Sequence, residues 1–216
     1  MLKRKYFIYN PYFVFPLVFW VVGGSIALAT QSRTELFANV NARHTPVLDT
    51  FMYYSTFMGQ AEVIVPVLLG LMALPRFRNM LYFSTAALCN IAPLLVQQAL
   101  KSYFNEPRPL KFYNMADWIH HSPDWPTLYE RSFPSGHSAG AFSFFCFLSL
   151  ILPARYRAIG LVFFSLALLV CYSRMYLAAH FFADTYSGSI IGATTTLAMF
   201  ALMNYYKGHL FKGKLT

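Results

Sequence analysis

Ser173-Arg174-Met175-Tyr176-Leu177-Ala178-Ala179-His180-Phe181-Phe182-Ala183-Asp184 joins two long apolar runs and holds an arginine, a histidine and an aspartate where almost no other charge occurs. Ionisable side chains at membrane depth are costly to keep and mark function by default. His180 and Asp184 are four residues apart, which on a helix places them on one face. There the carboxylate can accept the imidazole Nδ1–H, fix the tautomer and leave Nε2 free as base or nucleophile. Arg174 lies six residues before His180, and on one continuous helix the two would point well apart. The spacing therefore predicts a break near 176–179, with Arg174 ending one helix and Asp184 opening the next. For this stretch alone, a surface ion pair at a helix end explains the charges equally well.

Composition decides the setting. The chain has 216 residues, of which 57% are hydrophobic, 19% aromatic and only 12% charged. A soluble domain carries about a quarter charged residues. With mean hydropathy at +0.44, the deficit reads as an all-α, polytopic membrane protein. The formal charge of +9 raises nucleic acid as a partner, but the basic residues fall in short clusters between apolar runs, as membrane topology requires. Cys89, Cys146 and Cys171 each sit inside an apolar run without CxxC spacing, so they read as buried small hydrophobes, neither disulfides nor metal ligands.

A transmembrane helix needs about 20 mostly apolar residues. Six runs qualify: 13–30, 54–74, 80–100, 135–152, 158–173 and 184–206, the fourth and fifth being short. Lys3, Arg4 and Lys5 precede the first, Arg76 and Arg78 follow the second, Arg155 and Arg157 follow the fourth, and Lys207, Lys212 and Lys214 end the chain. With six spans all four clusters share one face, which the positive-inside rule makes cytoplasmic, with both termini inside. The first run also resembles a signal peptide ending at Ala27-Leu28-Ala29, although it is long for one. Cleavage would leave five spans and the same residues outside. The outer segments 31–53 and 102–134 read as loops. Asp49, Phe51, Met52 and Tyr53 are placed along the interface, His44 in solvent, and most of the aromatics Tyr103, Tyr113, Trp118, Trp125 and Tyr129 in an interfacial belt. His120 and His121 are adjacent and diverge, a poor metal pair, and no HExxH or carboxylate cluster appears, so no bound metal or cofactor is expected. No repeat or linker divides the chain, so 1–216 reads as a single domain.

Two more clusters share the outer side with the first. Lys101-Ser-Tyr-Phe-Asn-Glu-Pro-Arg108-Pro109 follows the third run, and its prolines end the helix and stiffen the backbone around Arg108. Pro134-Ser135-Gly136-His137 opens the fourth, with Ser135 as N-cap, Gly136 allowing close backbone approach and His137 in the first turn. A helix N-terminus offers unpaired N–H groups to an anion. Taken singly, each cluster is explained by snorkelling or capping. Together they place the cations Lys101, Arg108 and Arg174, the donors Ser135 and Gly136, and the imidazoles His137 and His180 on one face. That inventory suits a tetrahedral phosphate, with cations for its oxygens, one imidazole as nucleophile and one as acid/base.

The chain resembles the type 2 phosphatidic acid phosphatase (PAP2) superfamily of membrane lipid phosphatases, which is related to vanadium-dependent haloperoxidases. The family pattern K-x6-RP matches Lys101 through Arg108-Pro109, PSGH matches 134–137, and SR-x5-H-x3-D matches Ser173-Arg174, His180 and Asp184. All three are intact and in order. The resemblance implies a six-transmembrane-helix bundle. It implies His180 as nucleophile forming a phosphohistidine, Asp184 holding its Nδ1–H, and His137 as acid, then base. It implies Lys101, Arg108, Arg174, Ser135 and the Gly136 N–H as the cradle of the phosphate oxygens, a scheme that requires no metal.

The expected partner is a lipid phosphate in the bilayer: phosphatidic acid, phosphatidylglycerophosphate, undecaprenyl diphosphate or a lipid A phosphate, with no nucleic acid and no obligate protein partner. The short chain and compact loops resemble bacterial members, which places it in an inner membrane with the site facing outward. A lipid phosphotransferase would use the same phosphohistidine with a hydroxyl acceptor. A transporter would tend to place its site near the midplane and between broken helices. A haloperoxidase would need bound vanadate and fits six spans poorly.

Overall fold

Hydrophobic runs become helices here because a backbone in apolar surroundings must satisfy its own hydrogen bonds. The computed structural model describes residues 9–207, and its regular structure among them is entirely helical. In chain order the α-helices are α1 (Pro11–Thr30), α2 (Arg33–Asn41), α3 (Pro46–Thr56), α4 (Ala61–Leu71), α5 (Met80–Phe104), α6 (Pro109–Phe112), α7 (Gly136–Ile151), α8 (Ile159–Tyr176) and α9 (Phe182–Lys207). Five of the six apolar runs each fall on one helix, and the second is divided between two. By length and hydropathy four of the described helices can cross a membrane, at Pro11–Thr30, Met80–Phe112, Ile159–Tyr176 and Phe182–Tyr206. A fifth span is a broken one, Pro46–Gly59 with Ala61–Leu71, bent by 55°. The fourth run gives only the shorter helix Gly136–Ile151.

Two sequence expectations are corrected. The second run does not form one straight span over 54–74; its helix begins at Pro46, tightens into a 3₁₀ turn at Phe57–Gly59 and restarts at Ala61. The segment 31–53 is not a loop. Ser32 and Glu35 form a reciprocal capping box that starts α2, and Thr45 with Pro46 starts α3. A polar composition in the first and a mixed one in the second concealed these helices, since short capped helices need no long apolar stripe.

α7 is the central helix. It is apolar or small all round and buried along most of its length, packed against α5, α8 and α9. Close approach is made possible by glycine. A Cβ at Gly188 would lie 2.4 Å from the Ser135 carbonyl oxygen, and one at Gly192 would lie 2.4 Å from that of Ala139. Small residues one turn apart let two helix backbones meet in this way. The contact brings the Ser135 N–H to the Asp184 carbonyl at 3.0 Å, so two of the three clusters are tied by a backbone bond.

α1 packs against α8 and α9. Its cap Asn10 is buried and donates to the carbonyls of Ser149 and Arg157, while Trp20 donates to Ser189. Arg76 donates to the Ile151 carbonyl, so the basic loops 72–79 and 152–158 and the start of α1 gather at one end of the bundle. Lys3, Arg4, Lys5, Lys212 and Lys214 lie outside the described residues. The three cysteines are buried and free.

Candidate active site

The end of the bundle opposite the basic loops collects all three clusters. The expected break in 176–179 is present: α8 stops at Tyr176, α9 starts at Phe182, and Ala178 takes φ +50°, a left-handed conformation common just past helix ends. The Arg174 carbonyl accepts the N–H groups of both Ala179 and His180. That turn reverses the chain and points Arg174 and His180 into one enclosure.

His180 and Asp184 are each 1% exposed. The Asp184 Oδ2 accepts from the Phe181 N–H at 2.9 Å and from the Ser132 hydroxyl at 2.5 Å, and it stands 3.4 Å from His180 Nδ1. On the other side of the ring, Arg108 Nη1 is 3.3 Å from Nε2. A guanidinium can only donate, so Nε2 presents its lone pair and the ring proton sits on Nδ1, toward the carboxylate. Burial, reinforced by the positive charges of Arg108, Arg174 and Lys101, holds the His180 imidazole well below the ordinary histidine range. It is neutral at neutral pH, with Nε2 available for attack.

Arg108 is held without an acid partner. Its Nε donates to the Glu130 carbonyl at 2.7 Å, Nη1 to that of Ala179 at 2.9 Å, and its own N–H to that of Tyr129 at 2.8 Å. Arg174, fully buried, donates from Nη1 to the Thr56 hydroxyl at 2.8 Å and lies 4.4 Å beneath the Trp125 ring, and its Nε has no partner. Lys101, in the last turn of α5, is within electrostatic reach of Arg108, Arg174 and Asp184. The nearby acids are engaged elsewhere, Glu106 by Arg33 and Glu130 by Lys111. Three cations therefore face one carboxylate in a desolvated space, a surplus that an anion would neutralise.

Ser135 caps α7, accepting from the Ser138 N–H at 3.3 Å and the Ser138 hydroxyl at 3.0 Å, which leaves its own proton free to donate. Gly136 and His137 occupy the first turn, where N–H groups have no intrahelical acceptor. Gln97 donates to the Pro134 carbonyl and steadies this turn from α5. Gln60 stands 2.7 Å from His137 Nε2, and the Trp125 and His137 rings are T-shaped with centroids 6.2 Å apart.

All eight residues singled out from sequence thus reach one enclosure. Four others were not legible. Ser132 braces Asp184, Thr56 holds Arg174, Gln60 meets His137 and Trp125 covers Arg174. Trp125 is 7% exposed and stands apart from the exposed Tyr103, Trp118 and Tyr129 of the same segment; a cation beneath its face holds it inside. His44 is exposed but lies stacked 3.9 Å from His120, and His120 bonds Asp49 at 2.6 Å. No sequence signal marked these partners, because each comes from a different segment.

The family model of the PAP2 superfamily matches residues 80–207, more than half the chain and the whole of the three clusters. The chain belongs to the PAP2 superfamily. Undecaprenyl-diphosphatase BcrC of Bacillus subtilis (strain 168) is 28% identical over 165 residues, covering 73% of this chain and 77% of the relative. The undecaprenyl-diphosphatase of Sulfolobus acidocaldarius is 26% identical over 199 residues, 88% of each. Among solved structures, Aquifex aeolicus LpxE superposes with a TM-score of 0.66 at 29% identity, covering 78% of this chain and 94% of that one. The PAP2-type phosphatidylglycerolphosphate phosphatase of Bacillus subtilis superposes at 0.65 and 23% identity, covering 92% and 98%, a likeness of fold. This PAP2 protein is by class a membrane lipid phosphatase.

Proposed function

We propose that this PAP2 protein releases inorganic phosphate from a membrane lipid phosphate by way of a phosphohistidine on His180. The observation that carries the reading is the neutral His180 ring held between Asp184 and Arg108 inside an uncompensated cluster of cations. Nε2 attacks phosphorus, the bond to the leaving oxygen breaks, and His137 protonates that oxygen. His137 then takes a proton from water as the water attacks the phosphohistidine, releasing phosphate and restoring both rings. Lys101, Arg108, Arg174, the Ser135 hydroxyl and the Gly136 N–H hold the three equatorial oxygens. Such preorganised stabilisation is usually the largest catalytic term, about 10²–10³ per lost donor. The positive charge the scheme requires comes entirely from these side chains.

The substrate favoured is undecaprenyl diphosphate, because two relatives that align over most of this chain are undecaprenyl-diphosphatases. The leaving group is then the lipid monophosphate. We read 1–216 as one domain with six spans. The short α7 counts as one because it is enclosed by protein and meets little lipid. The basic end faces the cytoplasm with both termini, and the site faces outward.

Phosphate release from undecaprenyl diphosphate, phosphatidic acid, phosphatidylglycerophosphate and a lipid A phosphate, with mass analysis of products, tests the reading. His180→Ala is expected to release none while inserting normally, and vanadate, which mimics the five-coordinate transition state, is expected to inhibit wild type. Full turnover by His180→Ala would overturn the nucleophile.

A further inference from the structure

The break in the second apolar run delivers side chains to the site. Gln60 occupies the N-cap of α4 in an extended conformation, yet its side chain makes no capping bond to its own helix. Instead its amide nitrogen lies 2.7 Å from His137 Nε2. One turn earlier, the buried Thr56 accepts from Arg174. Backbone packing fixes the geometry. A Cβ on Gly59 would stand 2.4 Å from the His137 carbonyl oxygen, and one on Gly140 would stand 2.5 Å from the Gly59 carbonyl oxygen. The corner of the bent span is thus wedged against the first turn of α7 without slack. Both Thr56 and Gln60 precede the region matched by the family model, and none of the three motifs contains them.

We propose that Gln60 is a positioning residue for His137, and that the broken span exists to hold it there. The proposal rests on the acid–base role assigned to His137. That role makes the ring alternate between a bare and a protonated nitrogen. A glutamine amide holds the ring from Nε2 and leaves Nδ1 to exchange the proton: with its carbonyl, after a half-turn, accepting from Nε2–H it fixes the tautomer in which Nδ1 is bare as base and protonated as acid. A carboxylate would favour the charged ring, and an alkyl chain would leave the ring free to rotate. The charged groups within reach of His137 are Arg174, Arg108 and Lys101, all cations. A neutral partner orients the ring among them without adding a second carboxylate to compete with the phosphate.

The test uses the full-length protein purified in detergent, with undecaprenyl diphosphate as probe and kcat, KM and the pH profile as readouts. Gln60→Met is expected to lower kcat about 10–100-fold with KM within about twofold, since a mispositioned acid–base group loses part of its contribution. Gln60→Glu, of equal shape, is expected to move the basic limb of kcat/KM upward by about one pH unit or more, as a carboxylate beside imidazole does. A purely structural role would not move that limb. An unshifted limb in Gln60→Glu with wild-type kcat in Gln60→Met, alongside an inactive His137→Ala, would overturn the role of Gln60 and leave that of His137 standing. An active His137→Ala would overturn both. If Gln60→Met fails to elute as a folded protein, the isosteric Gln60→Glu decides by its pH profile.

Discussion

Replacing Asp184 by asparagine isolates what its charge does. Oδ2 collects three donors, the Phe181 N–H at 2.9 Å, the Ser132 hydroxyl at 2.5 Å and His180 Nδ1 at 3.4 Å. Asparagine is isosteric, and the backbone bond from Ser135 to the residue 184 carbonyl does not involve the side chain. The fold should therefore survive. If the amide oxygen takes the place of Oδ2, all three donors keep an acceptor but lose its charge, and hydrogen bonds to a charged group are worth about 1.5–3 kcal/mol against about 1 for neutral ones. If the amide nitrogen takes that place, it opposes Nδ1–H and drives the proton to Nε2, removing the attacking lone pair. In the proposed mechanism the His180 ring also carries positive charge as the phosphohistidine forms, and the carboxylate answers it. Taken together, about 3–4 kcal/mol of transition-state stabilisation is lost, or roughly 10²–10³ in kcat. Phosphate release at saturating lipid, with vanadate affinity measured in parallel, reads this directly. A variant that keeps more than about a third of wild-type kcat would refute the aiming role of Asp184.

Three further outcomes are expected. Because burial and Arg108 hold His180 below the ordinary histidine range, its neutral form persists on acidification; the acid limb it contributes to kcat/KM lies below about pH 6.5, and a His180 limb above 7 would contradict the placement. Trp125→Leu uncovers Arg174, whose guanidinium lies 4.4 Å from the ring, and vanadate inhibition should weaken about tenfold, with Trp125→Phe largely retaining it. Gly192→Val forces a side chain to within 2.4 Å of the Ala139 carbonyl oxygen and should cost about 1–3 kcal/mol, read as a lower melting temperature in detergent. Gly23→Ala, with open space around it, should stay within about 0.5 kcal/mol and serves as the control.

Sequence was informative wherever chemistry is local. The break six residues after Arg174 and the capping Ser135 follow from the geometry of one or two turns and are found as expected, while His180 meets Asp184 at 3.4 Å from the turn before α9 and not from a shared helix face. The apolar runs located every long helix for the same reason: lipid demands a continuous apolar stretch whatever surrounds it. Which backbone Gly188 and Gly192 admit depends on a helix some 50 residues away.

Alone, then, the sequence determined an all-helical membrane protein with three charged clusters on one side and the residue types for phosphate chemistry. Hydropathy and short-range spacing act within a single segment, so they can be read without a partner. Only the tertiary structure decided how the Ser173–Asp184 stretch is completed: Ser132 behind Asp184, Trp125 and Thr56 on Arg174, and Gln60 on His137. Each of those contacts joins segments far apart in the chain, and no period or motif within one segment encodes a neighbour supplied by another.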